Sequence, residues 1–270
     1  MSPDDGVSTS GRPIAFVMLD RAEFPDIAIL VKAIERRVAG FTSRPPYQTQ
    51  EQRGFLCRVD GKLCVVAFFD QPNPLNADAS CILSAWWWRE AWDRLRQRKA
   101  HAVVCMTDDD EPRHCYRTIA KLASAVIETS PAIGILWAAA DAVWPADRFR
   151  TTVDQAGDDL PVEMLVSVKL AADDEYSRPD GGRTYFALTW GLAAFGLMEI
   201  EVRGFDGQPD ELITTLLNIA AYLLKSGAII RHGDTIGHDK RHKFTVRHEP
   251  STIAAGQTVY RLYLTSIPKP

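Results

Sequence analysis

The sequence predicts an α+β protein with antiparallel sheets and helices packed on one face of them. Three observations support this prediction: a two-residue turn signal between two strand-like runs, a long amphipathic helix with clear ends, and stretches of period 2 that alternate with stretches of period 3.6. The turn signal is Asp60-Gly61, which joins Gly54–Val59 to Lys62–Phe69 as a hairpin. With 270 residues, of which 46% are hydrophobic and 24% charged, the composition is that of an ordinary globular protein.

The first half of the chain has the element order of a ferredoxin-like unit. The hydrophobic periods predict a strand, a helix, two strands, a second helix and a last strand: Ile14–Leu19, Asp26–Val38, Gly54–Val59, Lys62–Phe69, Leu83–Arg98 and His101–Met106. This βαββαβ order is typical of an antiparallel sheet with both helices on one face. We therefore expect an N-terminal α+β domain over residues 13–154. The polar residues 1–12 before it are expected to form a disordered tail.

The second half contains the amphipathic helix. Pro209 suits a first helical position, Asp210 and Glu211 suit the positive end of the helix dipole, and Gly227 follows the last apolar position. Ala228–Ile230 is expected to be a short buried strand after the helix. We expect residues 161–270 to form a C-terminal α+β domain, or else to continue the first fold without a break.

Composition and charge narrow the class of protein. A net charge of −4 gives no reason to expect nucleic acid binding, which usually leaves a basic surface. No apolar run has the length of a membrane span, and residues 1–12 lack the apolar centre of a signal peptide. The five cysteines have no metal-ligand spacing, which favours free thiols in a reducing compartment. We therefore expect a cytoplasmic protein that binds neither nucleic acid nor membranes.

One region resembles a known family. The residues that support the resemblance are Thr189, Gly191, Phe195-Gly196, Glu199, Asn218, Ala220, Tyr222 and the run Gly233-Asp234-Thr235-Ile236-Gly237. In these positions the chain resembles the bacterial domain-of-unknown-function family 4261 (DUF4261), most clearly over Thr184–Asp239. The opening Ala15–Asp20, the Pro72–Pro74 pair and the segment Trp86–Trp92 are compatible with the same family. The resemblance implies kinship and supplies no catalytic residues.

A cluster of tryptophans on the predicted helix Leu83–Arg98 contains one candidate interface residue. Trp88 and Trp92 share the apolar face, whereas Trp87 falls on the polar side with Arg94. An exposed tryptophan is a good anchor for a protein partner. The alternative is that residues 107–150 cover Trp87.

The loop after the amphipathic helix is the second candidate binding region. Arg231, His232 and Lys240 would offer hydrogen-bond donors to an acidic partner. Asp234 and Thr235 lie between glycines, so they are expected either to stabilise a turn through local hydrogen bonds or to join this polar contact surface.

The same loop allows a zinc site as an alternative. His238 and His242 are four residues apart, and His232 or Asp234 could complete a ligand set. The glycines in the loop favour an irregular backbone rather than a helix, and the neighbouring lysines and arginines, Lys240 among them, would repel a cation. Solvated loop histidines are therefore the preferred interpretation.

The function expected from the sequence is a non-enzymatic protein-binding module, of the adaptor or inhibitor type, without a cofactor. The sequence has no nucleophile elbow, phosphate loop or dinucleotide fingerprint. The alternative is a metal-assisted hydrolase that holds zinc in the loop His232–His242 and activates a water molecule.

Overall fold

The computed structural model describes residues 13–43, 47–48, 52–107, 111–176, 182–237 and 243–264. Within these residues the protein is an α+β protein with two mainly antiparallel sheets, which confirms the predicted fold class. Residues 1–12, expected to form a disordered tail, lie outside the described part. None of the helices in that part is long and apolar enough to cross a membrane.

The first sheet is built from eight strands in the described residues: β1 (Ile14–Leu19), β2 (Phe41–Ser43), β3 (Tyr47–Gln48), β4 (Gln52–Val59), β5 (Lys62–Phe69), β6 (Ala100–Met106), β7 (Ala132–Trp137) and β8 (Ala142–Pro145). Their order is β2-β4-β5-β6-β1-β7-β8, with β3 paired to β4, and neighbouring strands are antiparallel. The hairpin of β4 and β5 is confirmed. Asp60 and Gly61 have φ angles of 49° and 81°, the left-handed values that this tight turn requires.

The ferredoxin-like arrangement of the N-terminal part is not confirmed. In that arrangement each helix connects two strands that have another strand between them. Here β5 and β6 are direct antiparallel neighbours, with Phe69 opposite His101, and β6 lies between β5 and β1. The connection that follows β5 therefore leads to the strand directly beside it, without another strand between them.

That connection also differs from the single helix predicted over Leu83–Arg98. It contains two short helices, α2 (Ser80–Leu83) and α3 (Ala91–Leu95), joined by an irregular segment. Tertiary contacts outweigh the helical period here, because Trp87 stacks on Trp144 and the ring of Trp88 lies close to Gly134.

The long helices of the first sheet, α1 (Ile27–Glu35), α4 (Pro112–Thr129) and α5 (Ala146–Ala156), pack on one face. From β1, Ala15, Val17 and Leu19 enter this core. The alternate residue Met18 packs with residues of α2 and α3 on the opposite face. The expectation of helices on one face thus holds for the long helices, while the two short ones lie on the other side.

The second sheet has six strands in the described residues: β9 (Ser167–Ala172), β10 (Tyr185–Trp190), β11 (Ile200–Phe205), β12 (Thr235–Gly237), β13 (Lys243–Pro250) and β14 (Thr258–Leu264). Their order is β12-β13-β14-β11-β10-β9, and only the pair β11–β14 is parallel among them. Helices α6 (Val162–Leu165) and α7 (Pro209–Ser226) contribute to the core of this sheet.

Helix α7 is the predicted amphipathic helix. It begins at Pro209 and ends before Gly227, whose φ of 66° gives the left-handed cap expected of a glycine. The strand predicted over Ala228–Ile230 is wrong, because these residues are irregular. The ring of His248 bonds to the carbonyl of Ile230, so a side chain occupies the position that a neighbouring strand would take.

The two sheets are in contact through α6 and the turn Leu192–Phe195. Met164 and Leu165 belong to the core of the first sheet, while Val162 and Val166 belong to that of the second. A Cβ atom on Gly191 would lie 2.4 Å from the carbonyl oxygen of Leu165, so only glycine fits at this contact. The domain boundaries given from the sequence stay a prediction.

Candidate functional site

A cleft with a cavity volume of about 180 Å³ opens between the two sheets. Two edge strands border it, β8 of the first sheet and β9 of the second. Trp86, Trp87 and Trp144 line it on the side of the first sheet, and Ile213 and Leu217 of α7 line it on the side of the second. We call this space the intersheet cleft.

Stacked aromatic rings form one wall of the intersheet cleft. The rings of Trp87 and Trp144 have centroids 4.0 Å apart and planes inclined by 19°. The guanidinium carbon of Arg148 lies 5.2 Å from the centroid of Trp87 and 5.1 Å from that of Trp144, within the range of a cation–π contact. Trp87 is half-buried in this stack, whereas Trp86 at the cleft is 50% exposed. The exposed tryptophan is therefore the neighbour of the one singled out from the sequence.

A polar cluster beside the cleft joins the two sheets. The ammonium group of Lys169 donates to Ser84 Oγ at 2.8 Å, to the Asp141 carbonyl at 2.7 Å and to Asp141 Oδ2 at 2.9 Å. Ser84 in turn donates to the carbonyl of Ser80, and Ser80 Oγ donates to the Asp141 carboxylate. These three contacts use all the donors of the Lys169 ammonium group, and Ser84 Oγ is one of its acceptors. This cluster is a structural link between the sheets.

Cys81 is the thiol that lines the cleft. Burial, reinforced by the nearby Asp141 carboxylate, raises the pKa of Cys81 to about 11. The thiol therefore stays protonated at neutral pH, and a protonated thiol is a poor nucleophile.

A second network lies inside the second sheet and explains several residues of the family resemblance. Glu199 is 4% exposed, and its carboxylate accepts hydrogen bonds from Thr189 Oγ1 at 2.7 Å, Gly191 N at 2.8 Å and Ala193 N at 3.0 Å. Thr189 Oγ1 also accepts from the Ile200 amide at 2.7 Å. These bonds fix the turn between β10 and β11, so this carboxylate serves the fold.

The loop predicted as a binding surface lies at the far edge of the second sheet. Arg231, His232, Asp234 and Thr235 are all exposed, and they precede or begin β12. Asp234 Oδ2 accepts from the amide of Arg231 at 2.7 Å, and His232 Nδ1 accepts from the amide of His248 at 3.2 Å. β12 and β9 are separated by five strand spacings, or about 24 Å. The fold thus does not bring this loop together with Trp87 at the cleft.

The remaining residues of that loop prediction, Lys240, His238 and His242, lie outside the described residues. The zinc site therefore stays a prediction. In the described part of the chain, no three His, Cys, Asp or Glu side chains are close enough to hold a metal ion.

Sequence reasoning missed Trp144, Arg148 and Glu163 as residues of the cleft. They lie more than fifty positions beyond Trp87, and nothing in the local pattern relates them to it. A tryptophan followed by a basic residue four positions later, as Trp144 and Arg148 are, is an ordinary surface pattern. Only the packing of β8 and α5 brings them to Trp87.

The fold and the cleft define the class: a two-sheet α+β protein with an aromatic cleft between the edges of its sheets. Within this chain, residues 188–263 match the family described as Domain of unknown function (DUF4261), which confirms the resemblance found in the sequence. The match runs from β10 to β14, so it includes the Glu199 network and α7 but not the tryptophans of the cleft. No curated protein and no solved structure matches the chain.

Proposed function

We propose that this protein is a non-enzymatic protein-binding module, of the adaptor or inhibitor type, that receives an apolar side chain of a partner protein in the intersheet cleft. The observation that supports this most is the exposure of Trp86 at the opening of a cavity walled by Trp87 and Trp144. Tryptophans that are accessible before binding and lie beside a pocket are typical centres of binding energy.

The size of the cleft supports a single side chain as the occupant. An engineered protein cavity of about 150 Å³ lined by apolar side chains binds benzene. At about 180 Å³ the intersheet cleft has room for a phenyl ring or a branched aliphatic group. With that side chain in the cleft, the neighbouring residues of the partner would contact the exposed part of Trp86.

The polar groups at the cleft favour binding over catalysis. Lys169 is hydrogen-bonded to Ser84 and to Asp141, Ser84 donates to the carbonyl of Ser80, and burial raises the pKa of the Cys81 thiol. Binding through a preformed cleft requires no nucleophile or base. The five cysteines are free in the structure, which supports a reducing, cytoplasmic location for this activity.

Affinity capture with matched variants tests the proposal. Trp86→Ala removes the exposed indole, and Tyr222→Ala removes a ring of similar exposure, 58%, from a part of α7 that does not line the cleft. We expect wild type and Tyr222→Ala to retain the same stoichiometric partner, and Trp86→Ala to bind that purified partner at least tenfold more weakly. Circular dichroism checks that both variants are folded. Equal binding of the partner by all three proteins would refute the proposed surface.

A further inference from the structure

The intersheet cleft contains charged and polar groups that have no ion-pair or hydrogen-bond partner in the described residues. Arg148 is exposed and forms no ion pair there, although its guanidinium lies over the two indoles of the wall. Glu163 also lines the cleft and is likewise without an ion pair in the described part. The third group is Trp144, which is 6% exposed and whose Nε1–H is buried without an acceptor among the described residues. Buried donors are rarely left unpaired, and an acceptor carried by a ligand in the cleft would satisfy this one.

The position of Arg148 decides the sign of the charge that binds at the indole wall of the cleft. Stacked indoles can bind a ligand cation on their faces, but here the guanidinium already lies over Trp87 and Trp144. A second cation would be repelled. A carboxylate would instead gain a charge-assisted hydrogen bond from Arg148, and its second oxygen could accept from the indole of Trp144. The cleft therefore favours an apolar group that carries an anion close to it.

A main-chain terminus meets this requirement better than an acidic side chain. Adjacent side chains of an extended peptide point to opposite faces, so an Asp or Glu beside the apolar residue would turn its carboxylate away from the cleft. At the last residue of a chain, the carboxylate and the apolar side chain share one Cα atom. The same residue has an amide N–H, which could donate a hydrogen bond to the carboxylate of Glu163.

We propose, building on the proposed function, that the intersheet cleft binds the C-terminal residue of a partner protein. The side chain of that residue is phenyl or branched aliphatic, and its free carboxylate pairs with Arg148. Capture of a chain terminus is an established mode of peptide recognition that depends on the free carboxylate. It gives the protein a specificity that an apolar cavity alone would lack.

The test uses the full chain and two N-acetylated hexapeptides that end in phenylalanine, one with a free carboxylate and one amidated. We expect the free acid to bind at least tenfold more tightly by isothermal titration calorimetry at low salt. Arg148→Gln should abolish this preference. Arg150→Gln is the matched control: it removes the same charge from α5, but its side chain lies roughly 200° around the helix from Arg148 and does not line the cleft.

The outcomes separate this inference from the proposed function. If wild type binds the two peptides equally and Trp86→Ala binds neither, the role of the terminal carboxylate is overturned and the apolar cleft remains a binding site. Binding of free phenylalanine with no binding of either peptide would overturn both the terminal-residue proposal and the protein partner. A free-acid preference that survives in Arg148→Gln would also contradict the assignment.

Discussion

Removal of the Glu199 carboxylate tests whether the hydrogen bonds that it accepts stabilise the second sheet. Glu199 accepts hydrogen bonds from the hydroxyl of Thr189 and the amides of Gly191 and Ala193. Thr189 is fully buried and Gly191 is buried too, whereas Ala193 is exposed and could bond to water instead. The substitution Glu199→Ala therefore leaves two buried donors without their acceptor.

The magnitude follows from those two donors. Each buried polar group left unsatisfied costs about 1–3 kcal/mol, so Glu199→Ala should lower the free energy of unfolding by about 4 kcal/mol. Glu199→Gln keeps an oxygen that can accept from both amides, but its NH2 group replaces the oxygen that accepts from the Thr189 hydroxyl. One buried donor rather than two then loses its acceptor, so the cost should be about 1–2 kcal/mol. A loss of about 4 kcal/mol is a large part of the stability of a typical domain.

Urea unfolding followed by circular dichroism measures these values, provided that the denaturant slope is unchanged. The control is Glu35→Ala, which removes an exposed carboxylate from α1 that has no described partner and should change stability by less than about 0.5 kcal/mol. A loss below about 1 kcal/mol for Glu199→Ala would refute the reasoning. Equal losses for the alanine and glutamine variants would refute it as well.

Three further predictions concern the contact between the sheets and the acid limit of stability. Gly191→Ala places a Cβ against the carbonyl of Leu165 at a φ of 124°, so it should lower the free energy of unfolding by about 3 kcal/mol. Gly196→Ala has a left-handed φ but no atom within 4 Å, so the same urea assay should show a loss of only about 1 kcal/mol. Lys169→Met removes three hydrogen bonds across the sheets and should lower the urea midpoint by the equivalent of about 2 kcal/mol, while exposed Lys99→Met leaves it unchanged. Hydrogen bonds from Arg203 hold the pKa of Asp173 below its ordinary value, so its contribution to stability is present above about pH 4 and is lost as the pH falls through the lower folded pKa. The difference in thermal midpoint between wild type and Asp173→Asn should therefore be largest near neutral pH and shrink below about pH 4; a difference that grows on acidification would contradict the assignment.

The elements that the sequence predicted correctly are those with local signals. Helix α7 carries a proline at its start, acidic residues in its first turn and a glycine after its end, and the structure has all three in those roles. The β4–β5 hairpin depends on two residues, Asp60 and Gly61, that adopt the positive φ angles of a tight turn. In both cases the information lies within a few residues of the element.

The sequence-based predictions were wrong where contacts between distant residues outweigh the local hydrophobic period. The segment around Trp86–Trp88 has a helical spacing of apolar residues, yet it lies between two short helices and Trp87 stacks on the distant Trp144. The order of β5, β6 and β1 is likewise decided by pairing between strands that the local pattern cannot rank. The candidate cleft shares this property, because its walls come from α2, β8, α5, β9 and α7.

Nuclear magnetic resonance of the indole N–H groups tests the account most directly. The chain has seven tryptophans, and each gives its own indole signal. On titration with the N-acetylated peptide that ends in phenylalanine, we predict that the signals of Trp86, Trp87 and Trp144 shift together and that the Trp144 signal moves downfield as its N–H gains an acceptor. The signal of Trp137, which is buried in the core of the first sheet, should remain in place. Binding that shifts other indole signals and leaves these three unchanged would contradict the cleft as the binding site.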